Sequence, residues 1–141
     1  MTLQPRSWAA PDAGQIVWCR FPEDQRFQPS PKPRPALILT VFDDEDPDFR
    51  VLVAYGTSRK TERLYAGEFR ITPAEAEAYA LAGLSFPTKF NLKAAVELPY
   101  DTTWFAVPPA APFGQTPKLG VLHPSLHRRA AAAWKASRAP R

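Results

Sequence analysis

The chain has one cysteine, Cys19, among 141 residues. No intrachain disulfide can form, and a single chain cannot build a cysteine-based zinc site. A reducing compartment is the default that follows, so the expected location is the cytoplasm. No run of ~18 apolar residues occurs, which argues against a transmembrane helix, and no membrane partner is expected. Residues 1–14 lack the apolar core of a secretory signal and read as a loose leader. Histidine is nearly as scarce, with only His123 and His127. Their i,i+4 spacing could set both on one helix face, but Pro124 and Ser125 put His123 ahead of the helix, and no cysteine or carboxylate stands nearby in sequence to complete a metal shell. Glycine-rich phosphate loops of the P-loop or dinucleotide type are absent. No metal and no cofactor is expected.

What is present is a globular composition, 45% apolar and 23% charged, enough for one core and one domain over residues 1–141. Net charge is +4, from 18 basic and 14 acidic residues. Five of those acids, Asp43, Asp44, Glu45, Asp46 and Asp48, crowd into one short run, leaving nine against all 18 bases elsewhere. The run has neither the spacing nor the glycine of a calcium loop. It reads either as a solubilising turn or as an acidic loop held away from an anion-binding surface. Proline is abundant, 17 residues against six glycines, and clusters at 29–35 and 107–117. Such clusters suit rigid loops between strands rather than helix interiors or central strands.

Apolar patterning predicts strands at 15–21, 36–42 and 49–55, the last two forming an antiparallel hairpin around the acidic turn. Further extended pieces are expected at 68–71, 86–92, 94–98 and 104–107, with a long loop at 23–35. A short helix should begin at Thr72 as N-cap, with Pro73 in the first turn, Glu75 completing a capping box and Ile71 and Ala76 at staple positions. Gly83 should end it, and Ala74, Ala78 and Leu81 should face inward. Ser125 should cap a last helix with Leu122, Leu126, Ala130, Ala133 and Trp134 on its apolar side and a basic outer face. The fold class expected is mainly β, a small barrel with one inserted short helix and a C-terminal helix.

Two polar interruptions flank the predicted hairpin. Lys32-Pro33-Arg34-Pro35 precedes one strand, and Thr57-Ser58-Arg59-Lys60 follows the other. Antiparallel pairing brings Arg34 and Thr57 to the same sheet edge, with the acidic turn at the opposite end. An arginine fork, hydroxyls and further bases at one barrel mouth suit phosphate binding. The alternative is a capped strand end carrying an ordinary surface arginine.

At these residues the chain resembles the MazF/PemK family of toxin endoribonucleases, and more narrowly its PemK-like growth inhibitors. Gly14-Gln15-Ile16-Val17-Trp18 is similar to the family's opening block. Lys32-Pro33-Arg34-Pro35-Ala36-Leu37-Ile38-Leu39 is similar to its arginine-proline block. Val53-Ala54-Tyr55-Gly56-Thr57-Ser58 ends where the family carries a threonine or serine, and a weaker block spans residues 84–94. The resemblance covers residues 14–98 and leaves 99–141 as a C-terminal extension ending in a basic helix that compact toxins lack. It implies an SH3-like barrel that forms a homodimer and cuts single-stranded RNA without a metal. It also implies a type II toxin-antitoxin system, with a cognate antitoxin protein and operator DNA bound through the antitoxin complex. Carried over by position, Arg34, Thr57 and Ser58 are the catalytic candidates. Lys32, Arg59, Lys60, Ser85, Asn91 and Lys93 are the candidates for substrate binding, with Asn91 standing where glutamine is usual. The other function class kept open is a non-catalytic SH3-like barrel that binds nucleic acid or a protein partner.

The implied chemistry needs no protein nucleophile, because the ribose 2′-oxygen attacks its own phosphorus. The site must align that attack, remove the 2′ proton, stabilise a dianionic phosphorane and protonate the leaving 5′-oxygen. The guanidinium pKa is too high for easy proton shuttling, so chemistry alone favours electrostatic stabilisation for Arg34, and the resemblance adds a general-acid role. The products are a 2′,3′-cyclic phosphate and a 5′-hydroxyl.

Overall fold

The computed structural model describes residues 6–22, 27–43 and 48–138. The middle of the acidic run, residues 44–47, and part of the proline-rich loop, residues 23–26, lie outside the described residues. Among those described, the strands are β1 (Gln15–Cys19), β2 (Arg34–Phe42), β3 (Arg50–Thr57), β4 (Glu68–Ile71), β5 (Thr88–Pro99) and β6 (Lys118–Val121). Helix α1 (Ala76–Ala82) is inserted between β4 and β5, and α2 (His127–Arg138) follows β6 after a single 3-10 turn at Pro124–Leu126. The strands form one curled antiparallel sheet in the order β4-β5-β3-β2-β1-β6. The fold is mainly β, with one short inserted helix and a C-terminal helix.

The central strands are buried on both faces, which is why they read as apolar runs rather than as alternating patterns. One face carries Ile16, Leu37, Ala54, Phe69, Phe90 and Leu92, packed against Ala78 and Ala82 of α1 and Leu126 and Ala133 of α2. The other carries Val17, Cys19, Ile38, Val51, Val53 and Leu98, packed against Tyr100, Trp104 and Phe105. The described sheet has three register irregularities, one of them between β1 and β6 at Ile16/Val17. Leu39 is an extra residue between the pairs Ile38↔Val53 and Thr40↔Leu52. The largest is in β5, where two steps along β3 from Val53 to Tyr55 match five along β5 from Val96 to Asn91. Three residues bulge out, an odd number, so Phe90 and Leu92 face the first cluster while Val96 and Leu98 face the second.

Several sequence expectations are corrected. The pieces expected at 86–92 and 94–98 are one bent strand, because the bulge interrupts its pattern without ending its pairing. The strand expected at 104–107 is only a bridge between Phe105 and Cys19. Thr72 does not cap α1. Its carbonyl accepts from the Glu75 N–H at 3.0 Å, so residues 72–75 form a turn and the helix begins one turn late. Glu75 instead pairs with Arg129 of α2 at 2.7 Å, and this hydrogen-bonded guanidinium holds the carboxyl below its usual pKa. Ala78 faces the core as expected, but Ala74 and Leu81 are exposed and Ala82 is the other core-facing residue. The last helical segment is capped by His123, whose Nδ1 accepts from the Ser125 N–H at 3.0 Å. Trp134 is exposed, with the Arg138 guanidinium stacked 4.1 Å above its ring. Nor are residues 6–14 wholly loose, since Trp8 donates its backbone N–H to Tyr100 and its indole N–H to Phe105, and packs on the second cluster.

Helix α1 ends at Gly83, which is left-handed at φ 72°. A Cβ there would stand 2.1 Å from the Leu119 carbonyl oxygen of β6. Gly83→Ala is therefore expected to cost about 3 kcal/mol, roughly 1 for the left-handed backbone and the rest for the collision. Gly114→Ala isolates the first contribution, because Gly114 has φ 78° and nothing within 4 Å of the added carbon; it should cost ~1 kcal/mol. Urea unfolding of the two variants measures both, and equal losses would refute the backbone collision.

Candidate phosphate site at the end of the β2–β3 ladder

The last paired residues at this end of the ladder are Ala36 and Tyr55. Arg34 lies two residues before Ala36 and Thr57 two after Tyr55, so strand alternation sets them at matched positions on the same face. Gly56 makes the approach possible. A Cβ there would sit 2.7 Å from the Pro35 carbonyl oxygen and 2.8 Å from the Phe90 ring. A side chain would force the start of β2 away from the end of β3.

The chain leaving β3 is tightly held. The Arg59 N–H donates to the Thr57 hydroxyl at 3.1 Å, which closes a turn. Lys60 follows with φ 50°. An Arg70 guanidinium N–H reaches the Thr61 carbonyl at 3.1 Å. Lys89, opposite Thr57 on β5, donates its ammonium to the Arg63 carbonyl at 2.9 Å and to Glu68 Oε1 at 3.1 Å. The Lys89 and Glu68 side chains are only 7% and 9% exposed. This buried pair anchors the loop that carries Ser58, Arg59 and Lys60.

Beside the ladder end lies a cavity of about 790 Å³, within the size range of ordinary ligand pockets. It brings together Lys32, Arg34, Ser58 and Ser85 from the expected site residues. Thr57, Arg59, Lys60, Asn91 and Lys93 are not among its lining residues. Arg59 and Lys60 are exposed on the pinned loop. Asn91 Oδ1 accepts from the Lys93 N–H at 3.0 Å, so this side chain supports the backbone where the β5 bulge begins. None of the described residues lining the cavity is Asp or Glu.

The remaining walls were not expected from sequence. Leu81, Phe86 and Phe113 line the cavity and are 42%, 66% and 49% exposed. A signal for Phe113 does exist: Pro112-Phe113-Gly114 sets an aromatic ring between turn formers, where it has no strand or helix to bury it. The most perturbed titratable groups lie elsewhere. Burial pushes up the Cys19 thiol, the Tyr100 phenol and the Asp101 carboxyl, and Cys19 and Tyr100 belong to the second cluster. Among the described residues no three His, Cys, Asp or Glu side chains gather closely enough to hold a metal ion, and no helix is long and apolar enough to cross a membrane. No protein-family model matches the chain, and a search of curated proteins finds no significant relative.

Removing one member of a buried ion pair leaves an uncompensated charge, at a cost of ~3–5 kcal/mol. Lys89→Met is expected to destabilise by about 3 kcal/mol in denaturant unfolding. The double variant Lys89→Met/Glu68→Leu should recover most of that loss. A double variant as unstable as the single one would show that the pair is not the anchor.

Proposed function

We propose that the chain is a metal-independent endoribonuclease toxin of a type II toxin-antitoxin system, built on an SH3-like barrel of the MazF/PemK kind. The observation that carries the reading is the ladder end itself. Arg34 and Thr57 stand there just beyond the last pair, and Arg34 shares a cavity with Ser58, Lys32 and Ser85. The sequence blocks at residues 14–18 and 32–39 support it independently. In this reading the Arg34 guanidinium receives the nonbridging oxygens of the scissile phosphate and stabilises the charge that develops on the phosphorane. Ser58 and Thr57 offer hydroxyls to the same phosphate. The 2′-oxygen forms the new bond to phosphorus and loses its proton; the bond to the 5′-oxygen breaks, and that oxygen gains a proton. Lys32, Arg59 and Lys60 bind flanking phosphates, with Ser85 on the sugar or base. The protein acts in the cytoplasm as a homodimer, is restrained by a cognate antitoxin, and meets operator DNA through that complex.

One observation favours a second reading. Much of the cavity wall is apolar, with Pro33, Pro35, Pro108 and Pro109 beside the aromatic rings. Such a wall also suits a non-catalytic barrel that holds a protein segment.

The test is cleavage of a long, varied RNA by purified protein in EDTA. The expected products carry 2′,3′-cyclic phosphate ends, and DNA of the same sequence survives because it lacks the 2′-hydroxyl. Arg34→Ala should slow cleavage by about a hundredfold or more, the usual effect of losing one donor to a developing oxyanion. Ser58→Ala and Thr57→Ala should each slow it less, and Thr57→Ser least of all. Cutting that requires added metal, or an Arg34→Ala variant with full activity, rejects the mechanism.

A further inference from the structure

The cavity contains more than a phosphate needs. A phosphate is met by Arg34, Lys32 and hydroxyls, yet the same cavity presents two exposed aromatic rings from separate segments of the chain. Phe86 lies just before β5, and Phe113 lies in the loop before β6. Leu81, Phe86 and Phe113 put three exposed apolar side chains on one cavity, and a shared patch of this kind marks a contact surface.

The Phe113 loop is built to hold its ring out. The Ala111 N–H donates to the Pro108 carbonyl at 2.9 Å, and the Gly114 N–H donates to the Ala111 carbonyl at 3.0 Å. Ala111 has φ 43° and Gly114 φ 78°, so left-handed residues bracket Phe113 closely on both sides. The Thr116 N–H closes a further turn on the Gly114 carbonyl at 2.9 Å. The Lys118 ammonium lies 4.3 Å from the centre of the Phe113 ring, a cation–π contact that covers one face and adds positive charge beside the cavity. Successive turns, a non-glycine residue in a costly conformation and a cation on the ring all fix one aromatic position.

We infer that Phe113, with Phe86, is a stacking platform for an unpaired base of a single-stranded RNA whose backbone lies along Lys32, Arg34 and Lys118. The inference rests on the reading of the site as an RNA site and adds a binding determinant from the C-terminal extension. The occupant follows from complementarity. The Lys32 ammonium in the cavity wall and the Lys118 ammonium on the Phe113 ring call for an anion, and flat apolar rings call for a flat apolar group. A nucleotide carries both, and an unpaired one leaves its base free to stack. Stacking on phenylalanine accepts every base, so this contact supplies affinity rather than a sequence code.

The test uses binding, so that it does not depend on cleavage. The probes are two short 2′-O-methyl oligonucleotides of equal length, one carrying mixed bases and the other abasic throughout, each with a fluorescent end label. Methylation blocks attack by the 2′-oxygen, and the abasic strand reports the backbone charge alone. Anisotropy titration should give base-bearing oligomer binding at least about tenfold tighter than abasic. Phe113→Ala should lose about tenfold on the base-bearing strand and leave the abasic strand unchanged, while Phe113→Tyr keeps the wild-type preference. Phe113 is half exposed on a loop, and an unchanged melting temperature verifies that the variant folds. Equal weakening on both strands, or none on either, overturns the inference. Binding of neither oligomer by the wild type also overturns it and favours a protein occupant. An uncut RNA together with Phe113-dependent binding rejects the nuclease reading and supports the platform. RNA cleavage without any dependence of binding on Phe113 does the reverse.

Discussion

The end of α1 meets β6 backbone to backbone, and much else depends on that contact. Gly83 lies against the Leu119 carbonyl, and Gly120 lies against the Leu81 carbonyl, where a Cβ would come within 2.3 Å. The two glycines face the contact from opposite sides, so neither element can withdraw to make room for a side chain. The helix thereby covers part of β6, one edge of the sheet, while α2 contacts β4 at the other. Exposed edges invite pairing with other chains, and helices laid along them remove the invitation. The same contact sets the cavity walls, because Leu81, Gly83 and Leu84 line it from the helix end and Leu119 lines it from β6.

The curled sheet carries one cluster on each face, and bulges in β2 and β5 change which cluster alternate residues meet. Sequence patterning reports the strands that are buried on both faces, since Ala36, Leu37 and Ile38 in β2 and Val53 and Ala54 in β3 form unbroken apolar runs. Those runs made the central hairpin legible, including which strand start stands beside which strand end. The bend in β5 was not legible. Its polar and small residues at the bulge look like a turn between two strands, and only the pairing of both halves with β3 identifies one strand. Helix starts were misread for a related reason. Thr72 and Ser125 have good capping chemistry, but Glu75 has a partner in Arg129, and the ring nitrogen of His123 does the work assigned to the serine hydroxyl. Tertiary partners decided between local options of similar energy.

The candidate site divides along the same line. Lys32, Arg34 and Ser58 could be grouped from sequence because an antiparallel ladder fixes their neighbourhood, whereas Ser85 was grouped with them only by the resemblance. Asn91 and Lys93 could not be excluded from the cavity, since their place depends on the bulge. Phe86 and Phe113 stand in separate segments, and isolated aromatic residues have no periodicity to signal a shared surface. The buried pair of Lys89 and Glu68 was equally hidden. In sequence these are two ordinary charges, and only the fold brings them together beneath the loop that follows β3.

Charge and apolar surface in this cavity reinforce each other. A guanidinium beside apolar walls is less well hydrated than one on an open surface, and lower local polarity strengthens its attraction for an anion. The densest run of acids stands at the other end of the hairpin, where Asp43 and Asp48 flank residues outside the described set. The antiparallel geometry therefore separates the acidic turn from Arg34 by the full length of β2 and β3. That separation is many times the contact distance of an ion pair, and solvent screening over it is strong.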